Sequence, residues 1–229
     1  MKTLQLCFLL LLLSLSAWSQ SDISKAAKYY SDSKFSLAEA ELLKVLKNSP
    51  DDLTAIELLG DSYAAQKSWE KALQQYTRLK AIRPKVADYH YKYGGALGMI
   101  AKESNKFKAL GMIPDFRAAF EEAIRLDKNH IGARWALIEL NLQLPAIVGG
   151  SESKAQQYAA ELQKISTVDG YLAKGRIAEY FDRLTIAEKY YKAAFAIGQS
   201  KNTGEKLAAL YVKMNAPEKA AAVKKSIKT

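Results

Sequence analysis

GDSYAAQKSWEKALQQYTRLKAIRP, residues Gly60 to Pro84, decides the fold once it is set against AAKYYSDSKFSLAEAELLKVLKNSP, residues Ala26 to Pro50. At an offset of 34 residues, seven positions match in character: Ala26/Gly60, Tyr29/Tyr63, Phe35/Trp69, Ala38/Ala72, Leu42/Tyr76, Val45/Leu79 and Pro50/Pro84. The offset continues from Gly60 to Gly94 and from Tyr63 to Leu97. A fixed period of this length is the mark of a chain built from stacked units, each too small to bury its own apolar face. The matches have physical reasons. Small residues sit where two helix backbones approach, and large ones such as Tyr63 and Trp69 fill the space beside them. Proline lacks the N–H that a helix interior needs, so Pro50 and Pro84 punctuate the units.

Ile56, Leu59, Gly60, Tyr63, Ala72, Tyr76, Leu79 and Pro84 together resemble the tetratricopeptide repeat. That resemblance implies an all-α, right-handed α-solenoid of antiparallel helix pairs. The C-terminal third repeats the theme: Ile186 to Gly198 carries Ala187, Tyr191 and Ala194 in second-helix register, after Gly175 on the preceding helix. Ala220 follows Ala187 by 33 residues, with Leu207, Ala208 and Tyr211 ahead of it at first-helix spacing. Lys213, Lys219, Lys224, Lys225 and Lys228 suit a terminal helix whose outer face meets water; a membrane-surface helix is the sharper alternative.

The period breaks in the middle. Second-helix register passes from Ala72 to Phe116 and then to Ala155, so the unit after Pro84 is elongated. YHYKYGGALGMIAKESNKF, Tyr89 to Phe107, reads as a long first helix and FRAAFEEAIRLD, from Phe116, as the second. Residues 131–144 show strand-like alternation at Leu140, Leu142 and Leu144, but Ile131, Trp135, Ile138 and Leu142 share a helix face, and the helical surroundings decide for a helix. KYGGALGMIAKES, AIRLDKNHIGARWAL and PAIVGGSESKA are also similar to the regulator of microtubule dynamics family, which implies a helical adaptor and brings no catalytic residue. The organisation expected is a leader at 1–19, two regular units at 20–85, divergent elongated units at 86–167, and two units with a C-terminal capping helix at 168–229.

MKTLQLCFLLLLLSLSAWSQ reads as a secretory signal peptide, with Lys2 before an apolar core and Ala17-x-Ser19 before a cut at Gln20. Its apolar run falls short of the roughly 20 residues that cross a bilayer. Cleavage removes Cys7, the one cysteine, and with it disulfide, thiolate and sulfur-ligated metal chemistry. An exported protein of the periplasm or cell envelope is the expectation. The net charge is +10, or +9 once Lys2 is lost. Its lysines are spread through helical segments, which favours a solvated helical surface over a dedicated polyanion site, with an anionic envelope surface kept as an alternative partner and no nucleic acid expected.

No stretch carries a catalytic set. PAIVGGS, Pro145 to Ser151, lacks a preceding strand and the lysine and hydroxyl of a phosphate loop. It reads as a turn: Pro145 stops a helix, Ile147 and Val148 tuck onto it, the glycines turn the chain and Ser151 caps the next helix. Gly94, with Gly95 and Gly98, is explained by close helix packing. His90 and His130 lie in different units and build no zinc site. No cofactor, metal or catalytic residue is assigned. The family resemblance implies a concave groove lined by first helices, with Glu57, Asp61, Ala64, Tyr91, Lys92, Gly95, Arg176 and Glu179 near it. Glu57 and Asp61 stand where chaperone-binding relatives use lysine and asparagine to hold a C-terminal carboxylate, so that role is not expected. The function implied is a non-catalytic interaction scaffold taking a peptide or partner helix.

Overall fold

The computed structural model describes residues 22–227. The signal-peptide reading and Lys228 fall outside them. Twelve α-helices account for the regular structure, and no strand occurs among the described residues. They run as α1 (22–31), α2 (Phe35–Asn48), α3 (Leu53–Ala65), α4 (Trp69–Ile82), α5 (Ala87–Glu103), α6 (Lys106–Leu126), α7 (Ile131–Gln143), α8 (Glu152–Ile165), α9 (Thr167–Tyr180), α10 (Leu184–Gly198), α11 (Lys201–Lys213) and α12 (Pro217–Ser226). The chain divides into two compact units, one ending at Leu126 and the other starting at Asp127. In each, helices pack mainly on their neighbours in sequence, the contact pattern of an α-solenoid.

The first unit is held by one apolar stripe per helix. Ala38, Leu42 and Val45 on α2, Ile56, Leu59 and Tyr63 on α3, and Ala72, Tyr76 and Leu79 on α4 are all buried in one cluster. Their three- and four-residue spacing puts each set on a single helix face. Gly60 is small for a measurable reason: a Cβ there would lie 2.7 Å from the Tyr76 ring. The same pairing recurs as Gly94 with Phe120, at 2.9 Å, and in the second unit as Gly175 with Tyr191, at 2.5 Å.

The turn inside a regular pair is also repeated. Ser33, Lys67, Asp182 and Asn215 all adopt the left-handed conformation, with φ of 59°, 59°, 58° and 56°. At each, two N–H groups reach back to the last carbonyls of the helix before, as in Lys67 to Ala64 and Ser68 to Tyr63, or Asp182 to Glu179 and Arg183 to Ala178. This closes off carbonyls that a helix end leaves without partners.

Two pairs lack that turn, and both lie in the segment where the period fails. The α5/α6 pair is elongated as expected, but the added length is divided differently. The first helix stops at Glu103 instead of continuing to Phe107, and α6 starts at Lys106, with Pro114 inside it. Asn105 ends the first helix because its side chain caps the second, accepting from the Lys108 N–H at 3.0 Å. Against 13 and 14 residues in α3 and α4, α5 and α6 have 17 and 21, an addition of about 6 Å and about 10 Å of helix.

In the α7/α8 pair, bulk is reversed. The first helix brings Ile138 and Leu142, and the second brings Ala155 and Ala159, all in one buried cluster. Residues 131–143 are helical, as the wider pattern indicated. The PAIVGGS connection is a 3-10 turn over Ala146–Val148 followed by Gly149 at φ 93°. One detail is corrected: Ile147 does not tuck onto the helix but is 93% exposed, because the tight 3-10 turn swings it outward.

Candidate functional site

In the first unit, α3 presents Glu57, Asp61 and Ala64 at four- and three-residue spacing on one face. From α5, Lys92 places its Nζ 2.7 Å from Glu57 Oε1, and 2.8 and 2.7 Å from the two oxygens of Asp61. The Tyr76 hydroxyl on α4 donates to Asp61 Oδ1 at 2.8 Å. Burial opposes the charge on Lys92, yet the hydrogen bonds and charges of Asp61 and Glu57 outweigh it and hold its pKa above the ordinary lysine value. Burial, then the neighbouring Asp61 charge, keeps the Tyr76 phenol protonated well past its usual range. The three helices are thus tied by one polar cluster, and its single cation is already engaged by two carboxylates.

The other first-unit residues do different things. Ala64 is half-buried against the core cluster. Tyr91 tilts onto Phe120 of α6, ring centres 6.0 Å apart, instead of joining the Lys92 cluster. Gly95 faces open space, with nothing within 4 Å of where a Cβ would stand.

The second unit contains a cleft of about 260 Å³. Its walls are the first helices of three successive pairs: Trp135 and Glu139 on α7, Asp169, Leu172 and Arg176 on α9, and Asn202 and Lys206 on α11, with Tyr191 of α10 at the base. Arg176 grips Glu139 with two parallel bonds, Nε to Oε1 at 2.8 Å and Nη2 to Oε2 at 3.0 Å. Burial disfavours its charge, but Glu139 overcomes this and raises its pKa. The Trp135 indole N–H donates to Asp169 Oδ1 at 2.9 Å, and Ser166 Oγ donates to the other oxygen at 2.6 Å. Arg176 therefore meets Glu139, while Glu179 is claimed by the Tyr191 hydroxyl at 2.8 Å. Asn202 and Lys206 are exposed at the rim, and their side chains have no partner among the described residues.

Sequence reasoning named Trp135 and Tyr191 only as packing residues and did not reach Glu139, Asp169, Asn202 or Lys206. One signal pointed to two of them: Trp135 and Asp169 are 34 residues apart, the period itself. Asn202 and Lys206 gave none, because polar residues on a first helix look alike whether they face the cleft or open solvent.

The features weighed and set aside in the sequence have plain structural uses. In PAIVGGS, every N–H from Val148 to Ser151 is donated within the protein: Val148 and Gly150 to Pro145, Gly149 to Ala146, and Ser151 to Asn141. A phosphate would find no free donor among these four N–H groups. Ser151 caps α8 by accepting from the Lys154 N–H. The His130 Nδ1 accepts from the Ala133 N–H at 3.0 Å and caps α7, and His90 Nε2 lies 2.8 Å from the Pro84 carbonyl. Among the C-terminal lysines, Lys213 bonds the Glu179 carbonyl and pairs with Asp182, and Lys219 pairs with Glu188. No group of three or more metal-ligating side chains, and no helix long and apolar enough to cross a membrane, occurs among the described residues.

No protein-family model matches the sequence, and no curated protein matches it. Solved structures do. A thermophilic TPR protein of Thermus thermophilus superposes with a TM-score of 0.68 at 15% identity, over 85% of this chain and 99% of that one. A tetratricopeptide repeat protein from Parabacteroides merdae gives 0.62 at 16% identity, over 90% and 77%. YrrB, described as a TPR protein with an unusual peptide-binding site, gives 0.51 at 18% identity, over 82% and 89%. The fold is that of the tetratricopeptide-repeat proteins.

Proposed function

We propose that this chain is a non-catalytic protein–protein interaction scaffold that takes an extended peptide or a partner helix across the first helices of its pairs. The observation that carries this reading is the cleft of about 260 Å³ on α7, α9 and α11. Its floor is fixed by bonds the protein makes to itself, so little ordering is needed when a ligand arrives. Its rim offers an amide and an ammonium, Asn202 and Lys206, that are not engaged elsewhere. Trp135 and Leu172 supply apolar contact between them. A fold of this kind hosts many uses, and this one is inferred from the cleft and not from likeness. YrrB, with its peptide-binding site, is a precedent for this type of use. The signal-peptide reading of residues 1–19 supports a location in the periplasm or cell envelope.

The test is site-specific photocrosslinking in envelope extract, with the crosslinker at Asn202 or Lys206 and, as control, at Lys189 on α10. A discrete protein captured from α11 and not from the control, and lost with Arg176→Ala, is the expected result. Equal capture from both positions, or none from α11, overturns the groove reading. Fractionation for the mature N-terminus, expected at Gln20 in the soluble envelope fraction, tests the location separately.

A further inference from the structure

The α6 helix carries an apolar stripe turned outward. Phe107, Leu110, Gly111, Pro114 and Ala118 follow one another along one side of the helix, and all five are exposed. Phe107 is 89% exposed and Leu110 44%. A surface helix of a globular protein turns such a stripe to the core. The core side of α6 is supplied by other residues, Phe116, Ala119, Phe120 and Ala123. The outward stripe is therefore additional, about 16 Å long at 1.5 Å per residue.

Charge is arranged around it. Lys106 and Lys108 fall about 100° to either side of Phe107 on the helix, and Lys102 ends α5 beside them. None of these three has an acidic partner among the described residues. The nearest carboxylate in sequence, Glu103, is turned away to the Trp69 indole N–H at 3.0 Å. Asp115 stands further along the helix, so the basic character belongs to the first two turns. This placement does not serve the helix. The first turn of α6 has two lysines and no acid at the positive end of the helix dipole, where anionic side chains are favoured. Gly111 adds to the cost, because alanine would fit its open surroundings and suit a helix better.

We infer that the N-terminal half of α6 is a contact site for a bilayer surface rich in anionic lipid, with Phe107 and Leu110 entering the headgroup boundary and Lys102, Lys106 and Lys108 meeting phosphates. An apolar stripe flanked by cations is the pattern of helices that lie in a membrane interface. A protein partner is the weaker fit: a stable interface engages roughly 20–30 residues a side, and this projecting end offers fewer than about ten. The inference stands on α6 and the end of α5 and does not depend on what the second-unit cleft binds.

The experiment is co-sedimentation of the chain from residue 20, which retains every described helix, with vesicles of phosphatidylcholine alone and mixed with phosphatidylglycerol. Three double variants accompany it: Lys106→Gln/Lys108→Gln, Phe107→Ser/Leu110→Ser and, as an equal change of charge elsewhere, Lys224→Gln/Lys225→Gln. All six positions are exposed, and circular dichroism checks that each variant keeps its helices. The wild type should bind only the mixed vesicles and be released by salt. At about fivefold per lysine, the first variant should bind about 25-fold more weakly; the serine variant should also weaken, and the C-terminal variant should match the wild type. Absence of binding to mixed vesicles, insensitivity to the serine changes, or an equal loss with the C-terminal pair would overturn the inference. So would self-association of the lipid-free wild type that Phe107→Ser abolishes, which would assign the stripe to a second copy of the chain.

Discussion

Gly94 and Gly95 are neighbours on α5 with opposite surroundings, and substituting each by alanine isolates what holds the elongated pair together. Both changes gain the same helix propensity, about 1 kcal/mol over glycine. At Gly95 nothing lies within 4 Å of the added methyl, so the gain is realised in full. At Gly94 the methyl would stand 2.9 Å from Phe120 Cε1 and 3.1 Å from the Ala119 Cβ. Phe120 is 6% exposed, which leaves the ring little room to retreat. Overpacking of this kind costs about 1–3 kcal/mol. Gly95→Ala should therefore be more stable than the wild type by about 1 kcal/mol, and Gly94→Ala level with it or up to about 2 kcal/mol worse. For a chain of this size each kcal/mol moves the melting temperature by about 2–4 °C, within reach of thermal circular dichroism. Adding Phe120→Leu, which removes the obstructing ring atoms, should make Gly94→Ala favourable again, and the double-mutant cycle gives the coupling directly. If Gly94→Ala stabilises as much as Gly95→Ala, the Gly94–Phe120 contact is absent and the reasoning fails.

Further outcomes follow from the polar ties and the turns. Burial first, and then the Glu39 and Glu188 partners, push Tyr63 and Tyr211 up to about 12. Phenols whose folded pKa is raised stabilise fully below the unfolded value near 10 and lose that contribution by the folded one, so the urea midpoint should decline between about pH 10 and 12. Lys92, also raised, adds to the same decline, and an unchanged midpoint across that window would contradict both assignments. Asp61→Asn weakens the bonds from Lys92 and Tyr76 together and should cost about 1–2 kcal/mol in urea unfolding; no change would mean the cluster contributes nothing. Gly150→Ala would drive a methyl into the Leu144 carbonyl oxygen, so this turn must move and the melting temperature should fall by several degrees. In contrast, Lys67→Gly relieves a left-handed residue and should raise stability by about 0.5–1 kcal/mol, read from the urea midpoint.

The regular pairs were legible because their packing is local and repeated: Ala38 and Ala72, or Gly60 and Tyr76, meet their neighbours within one unit, and the 34-residue offset exposes them. The elongated pair was half legible. Its length follows from the 44-residue step in second-helix register from Ala72 to Phe116, but the position of the break did not, since the sequence pattern runs the first helix on through Asn105, whose side chain caps the second. Pro114 is tolerated because it lies on the exposed side of α6, yet its own sequence gives no sign of that. The cleft was hardly legible. Lys92 with Glu57 and Asp61, or Arg176 with Glu139, join helices whose relative rotation is set by packing within each unit, so sequence placed Glu57, Asp61, Lys92 and Arg176 near one face without choosing their partners, and Glu139 not at all. Ile147 was misread because apolar character predicts burial on average and says nothing about a three-residue turn that points outward.

The reversal of bulk in the α7/α8 pair constrains how such a chain can be recombined. A small first-helix residue facing an aromatic, as in Gly175 with Tyr191, and a large one facing alanines, as in Ile138 and Leu142 with Ala155 and Ala159, are two mutually incompatible fittings. At the 34-residue offset that relates Trp135 to Asp169, Gly175 corresponds to the buried Asn141. Grafting α7 in place of α9 alone would therefore press an amide side chain against the Tyr191 ring, and exchanging α8 for α10 alone would press that ring onto Asn141. Whole pairs are the transferable parts; single helices are not.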